Sequence, residues 1–383
     1  DVSLSLTENG FESRSVSIGY PNTDEGELAF AESRIDYENP LVISEILLSG
    51  GEVPYGGVYV DVVELYNNGW ETINTKGYYL SDGEDPYKFP LPEAILAPGD
   101  CLVVICDGKG EGWNANFGLA QGEVLRMVCP DHRYGASAVV LEAADGCSMM
   151  WQDDEEGGAF REGAVTLGYP NTEEGRAAYL QDLLADTLQI SEVISSNTES
   201  LPGSYGTTCD WVELYNPTDA PISLEGWYLT DDSDELTKGK LPAETVQPGE
   251  YYVIFLSKDT ENLRKGFPVV PFGLSSSGDS LCLVYEGAVK DWAFVPALGT
   301  NVSYGRPDGE SEFSVLASVT PNASNGMAAQ KAETPSAVTA QGVYNDVETL
   351  SVVLEGEGEI YYTTDCTAPT VNSTRYTGPI TLN

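Results

Sequence analysis

The sequence predicts an all-β fold repeated in tandem, on three observations. Blocks of residues recur at a nearly constant offset, short apolar runs end at Gly, Pro, Asn and Asp turns, and no long amphipathic helical pattern interrupts them. Gly19-Tyr20-Pro21-Asn22-Thr23-Asp24-Glu25-Gly26 returns as Gly168-Tyr169-Pro170-Asn171-Thr172-Glu173-Glu174-Gly175, an offset of 168 − 19 = 149. Val63-Glu64-Leu65-Tyr66-Asn67 returns as Val212-Glu213-Leu214-Tyr215-Asn216, and Tyr78-Tyr79-Leu80 as Trp227-Tyr228-Leu229. Ile43-Ser44-Glu45 matches Ile190-Ser191-Glu192, and Pro98-Gly99 matches Pro248-Gly249. Five blocks in one order divide the chain into the end of one repeat (1–33), a full repeat (34–181), a second full repeat (182–330) and a different closing unit (331–383).

The elements follow in order. Asp1-Val2-Ser3-Leu4-Ser5-Leu6 reads as a strand, so 1–33 is expected to hold the last strands of a preceding copy in a longer protein. Asn22 and Asn171 stand where they would cap a short helix, with Glu25 and Glu174 three residues on to complete a capping box. Glu27–Arg34 and Arg176–Asp186 then read as short helical linkers, and Val319–Gly326 is a degenerate third junction. Leu41–Ile46 and Leu188–Ile194 are first strands; Asp61–Tyr66 and Asp210–Tyr215 alternate apolar and polar residues. Leu102–Cys106 and Tyr251–Leu256 are continuous apolar runs after Pro-Gly turns, the pattern of buried central strands. Val124–Cys129 and Ser280–Tyr285 follow Gly-rich turns. Strands at this spacing predict immunoglobulin-like β-sandwiches.

Ile190–Asn197, Asp210–Asn216 and Leu224-Glu225-Gly226-Trp227-Tyr228-Leu229-Thr230-Asp231 resemble the lamin-tail domain of bacterial surface proteins. Leu241-Pro242, Pro248-Gly249-Glu250-Tyr251 and Phe272–Asp279 continue that resemblance in order. The first full copy diverges, with Asp61-Val62 for Asp210-Trp211 and Phe117–Gly122 for the serine-rich turn. The resemblance implies an immunoglobulin-like sandwich used as a binding or spacer module. In the closing unit, Gly358–Asp365, Ala368-Pro369-Thr370 and Ser373–Ile380 resemble a chitobiase/β-hexosaminidase C-terminal-type domain, another small sandwich common beside carbohydrate-active enzymes. Cys366 stands where that pattern has Gly, and the chain stops before its last strands, so a partial β unit is expected.

Charge narrows the function. Eighteen Lys+Arg against 61 Asp+Glu give a formal charge of −43, a field that repels phosphate backbones and anionic bilayers. Neither nucleic-acid binding nor membrane insertion is therefore expected. The 41% apolar content suffices for packed cores. Seven cysteines (Cys101, Cys106, Cys129, Cys147, Cys209, Cys282, Cys366) form no CxxC pair and do not recur at matching positions, so free thiols are expected.

A single histidine, His132, rules out a Ser-His-Asp relay or a two-His zinc site. Carboxylates abound, but Glu45 and Glu64 recur as Glu192 and Glu213, and an active site needs one cleft rather than one per repeat. No catalytic residue is assigned, and no cofactor is expected beyond a possible calcium ion. Asp231, Asp232 and Asp234 crowd one turn, with Asp82-Gly83-Glu84-Asp85 as counterpart, and offer hard oxygen ligands to Ca²⁺ without the twelve-residue loop spacing. Trp211, Trp227, Tyr215 and Tyr228 lie in repeated strands and read as core; Trp113, Trp151 and Trp292 are unrepeated and read as candidate exposed contacts.

The expected protein is therefore a non-catalytic, secreted or wall-attached bacterial region that spaces, displays or binds. Carbohydrate or another surface protein is the expected partner, alongside neighbouring domains of the same chain. The alternative is an accessory region of an enzyme, a spore-coat protein H-type kinase or a carbohydrate-active enzyme, whose catalytic domain lies outside these residues. A self-contained hydrolase would instead need a carboxylate pair in one unrepeated cleft.

Overall fold

The computed structural model describes the chain except residues 1, 8–9, 16–17, 24–25, 27–28, 31–32, 37, 50–52, 84, 154–157, 202–207, 259–267, 330–334, 340–348, 357–358, 365–372 and 383. The chain divides into two compact units, Asp1–Met327 and Ala328–Asn383. The larger unit contains both full repeats, here called the first and second modules.

In the first module a five-stranded antiparallel sheet runs in the order Ala159–Ala164, Cys147–Gln152, Leu41–Leu47, Asp61–Asn67, Cys101–Cys106. A four-stranded sheet runs Tyr134–Val139, Val124–Val128, Tyr79–Ser81, Phe89–Pro90. Leu41, Ile43, Val63 and Leu65 of the first sheet close against Leu80, Leu125 and Met127 of the second. The second module repeats the plan. Its six strands run Val269–Val270, Tyr251–Leu256, Asp210–Tyr215, Gln189–Ile194, Tyr304–Gly305, Ser314–Val315. Its other four run Gly239–Lys240, Trp227–Thr230, Asp279–Tyr285, Ala288–Val295, around Leu188, Val212, Trp227, Leu229 and Phe272. Trp211 and Trp227 are buried, as their repetition predicted, while Tyr215 and Tyr228 are half-buried.

Two sequence expectations need correction. Cys101–Cys106 is an edge strand, not a central one. It is apolar because Trp113 and Ala115 bond to its Ile105 and cover it, at 2.9 and 2.7 Å. The central positions belong to the strands that carry the glutamates, so internal polarity marks the middle of the sheet. The helix Glu173–Leu183 is capped by Thr172, whose hydroxyl accepts from Gly175 N at 3.0 Å; Thr23 accepts from Gly26 N in the same way at 3.1 Å. The cap thus lies one residue beyond Asn171, and the third helical position is Gly175 rather than Glu174, so no capping box forms.

The modules share a core of their own. Leu47, Val53, Val62, Val165, Leu167, Tyr179 and Leu180 pack with Trp292 and Phe294 of the second module. Val289 N donates to Gly57 O at 2.9 Å, and Tyr59 Oη lies 3.2 Å from Cys282 Sγ. Gly57, at φ 84°, admits this approach because a Cβ there would meet Ala288 Cβ at 2.7 Å. Arg176 of the helix bonds Glu312 at 2.6 Å. Trp292 is therefore an inter-module contact and not an exposed one.

In the smaller unit, Ser336–Ala337 pairs with Leu354–Glu355, Leu350–Val352 with Ile380–Leu382, and Tyr361–Tyr362 with Thr374–Arg375. Ile360 is the one hydrophobic side chain buried there among the described residues. Cys366 and Ala368-Pro369-Thr370 lie outside the described residues.

Candidate ligand-binding groove and buried carboxylates

Two carboxylate pairs sit at the centre of the sheets. Glu45 faces Glu64 across adjacent strands and Glu192 faces Glu213, each beside a bulge at the preceding serine; all four are 0% exposed. Charge at such a site must be compensated or removed by protonation. Glu45 collects donors: the hydroxyl of Ser148, Thr166 N at 3.1 Å and Thr166 Oγ1 at 2.7 Å. Glu192 likewise takes Thr320 N and Thr320 Oγ1, each at 3.1 Å. The partner acids have fewer donors. Glu64 accepts from Ser44 Oγ at 2.7 Å and Gly168 N at 2.6 Å, and Glu213 accepts from Asn322 N. Burial, reinforced by the neighbouring glutamate, pushes Glu64 and Glu213 up to about 8. Burial raises Glu45 and Glu192 as well, so all four carboxyls are shifted upward, in the same pattern in both modules.

What the pairs hold is the junction. Asn171 Nδ2 donates to Ser44 O at 2.9 Å and Trp151 O at 3.3 Å, and Asn325 Nδ2 donates to Ser191 O at 2.9 Å and Arg306 O at 2.8 Å. Asn22 Nδ2 makes the corresponding bond to Leu6 O at 3.1 Å. The degenerate third junction is therefore structurally intact: Thr320, Asn322 and Asn325 stand in for Thr166, Gly168 and Asn171. Asn322 takes the left-handed φ of 60° that Gly168 takes at 91°, and both aim their N–H at the same glutamate. In both modules the repeated acids are hydrogen-bonded into the junction.

Among the described residues, a groove opens beside the pair of the first module. It holds about 650 Å³ between the two sheets, with Tyr66, Trp151 and Phe160 along it and Asn68, Ser137 and Gln152 at its rim; buried Glu64 contributes to its floor. Trp151 meets Phe160 edge-on at 5.5 Å and donates from Nε1 to Asp153 Oδ1 at 2.9 Å, which fixes the ring. Of the three unrepeated tryptophans, Trp151 is the one that borders it; Trp113 packs on the first core.

The acidic turn carries an internal cation. Lys238 Nζ sits 2.6 Å from Asp231 Oδ1, and Asp232 Oδ1 accepts from Asp234 N at 3.0 Å. Lys88 and Asp82 repeat the ion pair at 2.6 Å in the first module. A calcium ion held by Asp231, Asp232 and Asp234 would have to compete with Lys238. His132 is exposed, at φ 69°, edge-on to Tyr87 at 5.6 Å. Cys101, Cys106, Cys129 and Cys147 are free thiols. Among the described residues no helix is long and apolar enough to cross a membrane.

Residues 185–295 match the Lamin Tail Domain family model. The second module contains a lamin tail domain. Residues 339–383 match the Chitobiase/beta-hexosaminidase C-terminal domain. No curated protein and no solved structure gave a match. The first module has the same junction bonds and the same strand neighbours around its glutamates as the lamin-tail module, with different groove residues. Both matched families fit non-catalytic accessory modules, and with its sheets the chain is an all-β protein of immunoglobulin-like type.

Proposed function

We propose that this chain is an extracellular binding and spacer region of a larger bacterial surface or secreted protein, with recognition placed on the first module. The observation that carries the reading is the fate of the acids. The carboxylates with the strongest upward shifts recur in both modules, are fully buried, and are hydrogen-bonded into the junctions. A glycosidase pair would be unique and solvent-reachable. The shared inter-module core supports the spacer role, since it lets one module hold the other at a set angle. The closing unit's likeness to domains found beside carbohydrate-active enzymes supports an exported setting with carbohydrate or a surface protein as partner. That same likeness also favours a second reading, an accessory region of a carbohydrate-active enzyme or spore-coat protein H-type kinase with its catalytic domain elsewhere. The test is to incubate the 383-residue chain with polymeric glycans and with a surface-protein extract. Retention without product release is expected, and turnover of any polymer contradicts the proposal.

A further inference from the structure

The two modules differ between their sheets at the place where the groove lies. Strand register puts Ala136 opposite Met127 and Asp291 opposite Leu283, so Ala136 corresponds to Asp291. By the same logic Met150 opposite Glu45 and Gly305 opposite Glu192 make Trp151 the counterpart of Arg306. In the second module Arg306 turns inward. Its Nη1 lies 2.7 Å from Asp291 Oδ2, its Nη2 2.8 Å from Asp291 Oδ1, and its Nη1 also donates to Ile190 O at 2.7 Å. Its guanidinium covers Phe313 at 3.9 Å. In the first module the corresponding positions, Ala136, Ile43, Trp151 and Phe160, all line the open groove. A second difference widens it. Tyr215 stacks on Tyr251 across the strands at 4.6 Å, whereas the cross-strand partner of Tyr66 is Cys101.

We propose that the groove of the first module is a binding site for an uncharged sugar residue, built where the second module is plugged by its Arg306–Asp291 ion pair. This deepens, and rests on, the binding role proposed above. The volume of about 650 Å³ suits a small saccharide. Trp151, held by Asp153, presents an aromatic surface for the C–H face of a pyranose. The rim supplies amides and a hydroxyl, Asn68, Gln152 and Ser137, whose side chains make no hydrogen bond to other described residues. Amides and hydroxyls donate and accept together, as sugar hydroxyls do. A cationic ligand would leave the amide N–H donors unmatched, and the net charge of −43 opposes anionic sugars.

The test is a glycan array of neutral and charged saccharides probed with the whole chain. Calorimetry of the best neutral binder follows, on wild type, Trp151→Phe, Trp151→Ala and Asn68→Ala. Thermal unfolding confirms that each variant folds. We expect binding to a neutral glycan, retained within a few-fold in Trp151→Phe and weakened at least about tenfold in Trp151→Ala. Should Trp151→Ala be too unstable, Asn68→Ala at the exposed rim carries the test, with a loss of about fivefold expected. The proposal is overturned if no neutral glycan binds, or if binding survives both alanine variants. Capture of a cationic peptide or surface protein lost in Trp151→Ala would overturn the sugar assignment while keeping the binding role, and glycan hydrolysis would overturn the role itself.

Discussion

The first and second modules share a scaffold and differ in what fills it. Both bury two glutamates side by side, one of them richer in donors, both tie a junction asparagine to two strand carbonyls, and both pair an acidic turn with a lysine. Among the positions where they part are Ala136 against Asp291, Trp151 against Arg306, and Val62 against Trp211. The first two decide whether a groove exists. The third decides what covers the sheet's outer face. Val62 lies beneath the helix Glu173–Leu183 and the second module, where a large ring would collide, while Trp211 packs with Ile194, Phe255 and Leu201 and donates to Ser200 Oγ at 3.1 Å. Features that recur are structural; features that differ are where function can differ.

That comparison can be broken at its most heavily buried difference. Asp291→Ala leaves Arg306 desolvated and unpaired, and we expect a loss of about 3–5 kcal/mol in guanidinium unfolding. Asp291→Ala combined with Arg306→Trp, which imports the residues of the first module, should recover a substantial part of that loss. Trp211→Val, the analogous exchange at the outer face, should cost about 2–4 kcal/mol because the surrounding side chains cannot close the cavity. A smaller effect is expected at the junction. Thr172→Ala removes one helix cap and should cost about 1 kcal/mol, read as a lower midpoint of thermal unfolding.

Much of this was legible in the sequence, and the misses have physical causes. The repeat offset located the strands, and the recurrence of Glu45 and Glu64 marked them as structural before any burial was known. Asn171 was read as a cap because an Asn before an Ala-rich run fits that role locally; its real partners, Ser44 O and Trp151 O, are 127 and 20 residues away. Leu102–Cys106 reads as central in the sequence because covering loops make an edge strand as apolar as an interior one. The groove was invisible because it depends on register. Ala136 and Trp151 are unremarkable singly, and only strand pairing shows that they replace an ion pair.

The central claim is that Glu64 and Glu213 are equivalent scaffold acids. Both have folded values of about 8 against an ordinary 4.5, so both are protonated in either state below pH 4.5. As pH rises from there to 8, the unfolded chain ionises first, and stability falls. Glutamine mimics the protonated acid: at Glu64 its amide can donate to Ser44 Oγ, which in turn can donate to Glu64 O, now 3.2 Å away. The decisive measurement is the unfolding free energy of wild type, Glu64→Gln and Glu213→Gln at pH 5 and pH 8.5. The account predicts near-identical behaviour for the two variants, with little change at pH 5 and a gain on the order of 3 kcal/mol each at pH 8.5. A gain at Glu213 with none at Glu64, or loss of a ligand-dependent activity in Glu64→Gln alone, would contradict it.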